Sequence, residues 1–100
     1  MKRDIPLAHP EEILLEDFLK PMVISQYRLA KEIGVTQRRI WLICAGQRAI
    51  TPDTALRLAA FFGTDAQSWV NLQAHYDTEL AREAMADVLT RIDNIKQHVV

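Results

Sequence analysis

At 100 residues, 49% of them hydrophobic and 25% charged, the chain suits one globular domain and excludes a disordered one. The single cysteine, Cys44, excludes an intrachain disulfide and a cysteine-based zinc or redox motif. No apolar run approaches the roughly 18 residues of a membrane span, and the opening MKRDIPLAHPEE lacks the apolar stretch of a signal peptide, so a soluble cytoplasmic protein is expected. The formal net charge is only −1, but its distribution is uneven. Between Gln26 and Arg57, six basic residues (Arg28, Lys31, Arg38, Arg39, Arg48, Arg57) face two acidic ones, Glu32 and Asp53. That stretch carries +4 and the remainder −5, the local asymmetry that matters for a polyanionic partner.

The elements read as five short helices and a longer last one, with no strand and no repeat. Helix one is expected from Pro10 to Lys20: proline fits a first helical position, Glu11 and Glu12 favour the positive end of the helix dipole, and Pro21 ends it. Leu14, Leu15, Phe18 and Leu19 supply its apolar face. Helix two starts at Ser25, an N-cap residue, and buries Leu29, Ala30 and Ile33 before Gly34 stops it. Thr36 caps helix three, expected to reach Ala45 with Ile40, Ile43 and Cys44 inward; Gly46 ends it. Thr51-Pro52-Asp53 opens helix four, expected to bury Ala55, Leu56, Leu58, Ala59 and Phe62 before Gly63. Thr64-Asp65 opens helix five, with Trp69, Leu72 and Tyr76 on one stripe. The last helix is expected from Asp77 to about His98. Along it Ala81, Met85, Val88, Ile92, Ile95 and Val99 form a heptad-like seam of fewer than three heptads. The chain thus divides into 1–76, a helical domain with its motif at 26–45, and 77–100, a C-terminal helix for dimerisation or packing.

The stretch QYRLAKEIGVTQRRIWLIC holds the functional signal. Small Ala30 lets a second helix cross closely, Gly34 supplies the turn, and Ile40 and Ile43 pin helix three to the core. That is the steric logic of a helix-turn-helix, and at this spacing it resembles the lambda-repressor-like superfamily. Such a frame aims Thr36, Gln37, Arg38 and Trp41 outward, with Arg39 at the edge. The major groove of B-DNA admits one helix, and arginine pairs well with guanine and glutamine with adenine. Gln37 and Arg38 are therefore the expected base readers, while Arg39 reaches a base or a phosphate. Gln26, at a helix N-terminus, together with Arg48 and Thr51, is expected on phosphates; Arg28 and Lys31 add field. The plain alternative is that paired arginines are solvated surface and that Thr51 serves first as an N-cap.

The blocks HPEEILLEDFLKP, SQYRLAKEIGVTQRRI, GQRAITPDTALRLAAFFGT and SWVNLQAHYD, in that order from about Ala8 to Asp77, resemble the HigA/VapI group of antitoxins, Xre-type helix-turn-helix proteins. The resemblance implies an all-α fold of five lambda-repressor-like helices plus the longer C-terminal one. It also implies an antitoxin of a type II toxin–antitoxin module that neutralises a HigB-like endoribonuclease toxin and represses its own operon as a homodimer. The pattern departs at Trp41 and Leu42, both expected on the exposed side or edge of helix three, where polar residues are implied instead. A tryptophan there presses on a thymine methyl or a sugar, or marks a protein contact.

No catalytic constellation is visible, so a non-enzyme without cofactor or metal is expected. His9, His75 and His98 stand in distant segments. The adjacent pairs Glu11–Glu12 and Glu16–Asp17 point about 100° apart and do not converge. Cys44 lacks a neighbouring base. The expected partners are palindromic double-stranded operator DNA, a HigB-like toxin and a second copy of the chain, with no membrane. A palindromic operator is expected because a two-fold dimer presents two identical recognition helices, which must stand about 34 Å apart to read one face of the duplex. Two other readings stay open: a stand-alone phage-type or metabolic repressor, and an interaction module that does not read DNA. The seam likewise admits self-association, packing on helices one and five, or toxin contact.

Overall fold

In the computed structural model, which describes residues 9–96, every regular element is helical. Helix α1 is α-helical over Pro10–Glu12, π-helical over Ile13–Leu19 and α-helical again over Lys20–Met22. It outruns the expected stop at Pro21. In the π stretch the Lys20 N–H reaches back five residues to the Leu15 carbonyl. That wider turn relieves the clash that a proline ring makes with the preceding turn. The helix stops instead at Val23, whose φ of 53° is left-handed, while the Ile24 N–H returns to the Leu19 carbonyl.

Val23 is a β-branched residue in a region that costs an L-residue about 1–2 kcal/mol. Its side chain is 89% exposed, so no packing offsets that cost. Val23→Gly is expected to stabilise the fold by about 0.5–1 kcal/mol, read as a higher urea midpoint; the gain is reduced by the freer unfolded chain.

The next three helices follow the expected caps. Helix α2 is Gln26–Ile33, with the Ser25 side chain accepting from the Arg28 N–H. Helix α3 is Gln37–Cys44, one residue shorter than expected, with Thr36 accepting from the Arg39 N–H. Helix α4 is Pro52–Phe62, capped by Thr51 on the Thr54 N–H. Gly34, at φ 72°, closes α2; the N–H groups of Gly34 and Val35 both donate to the Ala30 carbonyl. Gly46, at φ 74°, turns the chain after α3, and a Cβ there would stand 2.7 Å from Glu11 Oε1.

Two expectations change beyond α4. Helix α5, Ala66–Ala84, is capped by Asp65 and runs unbroken through positions 76 and 77, where a helix boundary was expected. The interruption falls at Met85 (φ −105°, ψ 13°), and α6 follows at Ala86–Lys96. Nothing in the local sequence explains a break there. The N–H groups of Met85 and Leu89 still bond the Ala81 and Met85 carbonyls, so α6 continues outward from α5.

The core gathers Leu14 and Leu19 of α1, Leu29, Ala30 and Ile33 of α2, and Ile40 and Ile43 of α3. Ile50, Ala55, Leu58, Ala59 and Trp69 complete it. Phe18 packs against Phe62 and Trp69 with ring centroids 4.8 and 5.2 Å apart, and Trp69 Nε1 donates to Thr64 Oγ1 at 2.9 Å. Leu56 is not in the core: it is 64% exposed. Ala55, Leu58, Ala59 and half-buried Phe62 keep the i, i+3, i+4, i+7 stripe, and Leu56 lies about 100° off it. The Cα radius of gyration is 17.3 Å, against about 13 Å for a compact chain of this length, because the end of α5 and all of α6 project from the core.

Candidate nucleic-acid interface

Helix α3 lies on the core through Ile40 and Ile43, and this places its other side outward. Gln37, Arg38 and Trp41, spaced i, i+1, i+4, line one cleft of about 360 Å³ together with Gln26 from the first turn of α2. Among the described residues, the side chains of Gln26, Gln37, Arg38 and Trp41 have no hydrogen-bond or ion-pair partner. No carboxylate lines this cleft. The expected site residues therefore converge at four positions. Thr36 is exposed beside them, its oxygen engaged by the Arg39 N–H. Leu42, expected at the exposed edge with Trp41, is half-buried, so the apolar character of the outward face rests on Trp41 alone.

Arg39 is placed differently from Arg38. Its Nη1 lies 3.3 Å from Asp53 Oδ1, and the same oxygen accepts from Arg57 Nε at 2.8 Å. Arg57 Nη1 goes on to donate to the Ile33 carbonyl at 2.7 Å and the Gly34 carbonyl at 3.4 Å. A cation on the carbonyl end of α2 complements the helix dipole. This chain from Arg39 to the turn ties α4 to the two helices of the motif. In the sequence only the i, i+4 spacing of Asp53 and Arg57 marks it.

Arg48 and Thr51 stand apart from the cleft. Arg48 is exposed and lines a separate recess with Glu11, Gln73, Tyr76 and Asp77. Gln73 of α5 holds this loop by accepting from the Ile50 N–H at 2.9 Å, a contact 23 residues distant that no local pattern signals. Thr51 remains exposed while capping α4. His9 pairs with Glu11 at 2.8 Å and lies against the Tyr76 ring at 4.5 Å, which anchors the start of α1 to α5.

Of the seam, Val99 lies outside the described residues, as does His98. Ala81, Met85, Val88, Ile92 and Ile95 are all exposed, with Val88 at 40% and Ile92 at 50%, so the seam does not fold back on the core.

Among the described residues, no group of three or more His, Cys, Asp or Glu could hold a metal ion, and no helix is long and apolar enough to cross a membrane. Burial, and secondarily the Glu11 carboxylate, push the Cys44 thiol up to about 11. The thiolate is the reactive form, so the native protein is expected to react with a disulfide reagent at pH 8 on the order of 100-fold more slowly than the unfolded chain. A burst of labelling in native buffer would contradict this.

The geometry of a capped recognition helix, a glycine turn and an uncommitted Gln-Arg face defines a helix-turn-helix protein. A helix-turn-helix family model matches residues 15–69. The virulence-associated protein I of Dichelobacter nodosus is 51% identical over 82 residues, covering 82% of this chain and 76% of that protein. Among solved structures, the Pseudomonas aeruginosa antitoxin HigA with the higBA promoter superposes with a TM-score of 0.81 at 37% identity, over 84% of this chain and 91% of that one. An addiction module antidote protein of the HigA family from Coxiella burnetii gives 0.77 at 38% identity, over 96% and 98%. The chain belongs to the Xre-type helix-turn-helix family, in its HigA/VapI antitoxin group.

Proposed function

We propose that this protein is the DNA-binding antitoxin of a type II toxin–antitoxin module: it neutralises a HigB-like endoribonuclease toxin and, as a homodimer, represses its own operon from a palindromic operator. The observation that carries the DNA half is the single cleft shared by Gln26, Gln37, Arg38 and Trp41, with polar side chains free to pair and no carboxylate among them. Gln37 and Arg38 read base edges; Thr36, Arg39 and Gln26 fix the register on the backbone. Similarity to an antitoxin whose structure includes the higBA promoter supports this reading and the toxin half.

Arg48 and Thr51 serve as phosphate contacts outside the cleft. Arg48→Ala is expected to weaken binding to all duplexes alike and to flatten the slope of log K against log salt by about one unit. A loss confined to one sequence would make Arg48 a base reader instead.

The toxin half is tested by looking beside the gene for a small basic open reading frame and, where one stands, co-expressing it with this protein. Co-purification of its product and rescue of growth are expected. If the neighbour neither binds nor inhibits growth, the antitoxin assignment falls and a stand-alone repressor takes its place.

A further inference from the structure

From the cleft at the outer face of α3 we infer that Trp41 reads the C5-methyl group of a pyrimidine, in unmodified operator DNA a thymine; the inference rests on the DNA-binding reading above. Trp41 is 55% exposed, whereas the other tryptophan, Trp69, is buried in the core with its Nε1 bonded to Thr64. The Trp41 indole follows Gln37 by one helical turn on the same face and shares the cleft with it. It has no intramolecular partner among the described residues.

The neighbouring side chains indicate the occupant. Gln37 and Arg38 carry the amide and guanidinium that pair with adenine and guanine in the major groove. Every adenine so read is paired with a thymine, whose methyl group projects into the same groove. That methyl is the apolar feature of the groove that an indole face can cover. Four residues of helix advance about 6 Å, close to two base-pair steps of about 3.4 Å. The thymine therefore lies within about two pairs of the bases met by Gln37 and Arg38, once in each half-site. A protein partner is disfavoured at this face because the indole sits among groups suited to base edges and beside Arg38, which has no acid partner among the described residues.

The experiment is a thymine-to-uracil scan of the protein's own upstream duplex, titrated with wild type and with Trp41→Ala. Wild type is expected to lose about fourfold at one thymine per half-site, the change carried by burying one methyl-sized group, and Trp41→Ala to lose nothing further there. Trp41→Phe should keep most of the methyl dependence. Wild-type binding indifferent to every uracil overturns the inference on its own, without any variant. A methyl dependence that persists in Trp41→Ala also overturns it. Cytosine methylation of the same duplex separates the two sources of the group: unchanged wild-type affinity supports thymine, and tightening overturns it in favour of 5-methylcytosine. Wild type that binds no upstream duplex at all overturns the DNA reading itself, and this inference with it.

Discussion

Aspartate at both Val88 and Ile92 is expected to leave the helix-turn-helix core folded and to weaken binding to the upstream DNA about 100-fold. Both side chains are exposed in the single chain, so no core contact is lost. Val88, Ile92 and Ile95 occupy one face of α6 at i, i+4, i+7, and Leu89 widens it. A projecting helix with this face uncovered gains most from a second copy, which would bury the seam against itself. One recognition helix covers only a half-site; linking two makes the second contact intramolecular, worth about 10²–10⁴ in avidity. Four carboxylates in an apolar seam remove that link. Light scattering should show a monomer, and titration a half-site affinity. A dimer that persists would place self-association elsewhere. Loss of toxin co-purification with an intact dimer would assign the seam to the toxin.

Arg38→Ala is expected to cost about 1–3 kcal/mol for operator DNA and to relax base preference at one pair per half-site. Arg38 is exposed and unpaired among the described residues, so its guanidinium meets the groove with no internal bond to break. Arg39 must give up or share Asp53, which Arg57 also holds, so Arg39→Ala should cost less. Titration against operators varied one base pair at a time separates the two. If Arg39→Ala is the more damaging and the more specific loss, the roles are exchanged.

The parts of the fold legible in the sequence are those specified within a few residues. Ser25, Thr36, Thr51 and Asp65 all cap where their spacing indicated, because an N-cap bonds only two or three residues ahead. Gly34 and Gly63 stop helices because their positive φ is local. What stayed hidden depends on distant groups or competing local signals. Pro21 did not stop α1, because the π turn before it accommodates the ring. The Arg57 clasp on Ile33 and the Gln73 hold on Ile50 span 24 and 23 residues, beyond any periodicity. In the site, the outward set of α3 was open to view from Ile40 and Ile43. The engagement of Arg39 by Asp53 was not, because it joins two helices.

Footprinting of the purified protein on its own upstream DNA across a salt series tests most directly whether α3 is a DNA-reading helix. Two protected half-sites centred about 34 Å apart on one face of the duplex are expected, with affinity falling steeply as salt rises. Protection without half-site symmetry, or equal salt-insensitive binding to unrelated duplexes, would contradict it.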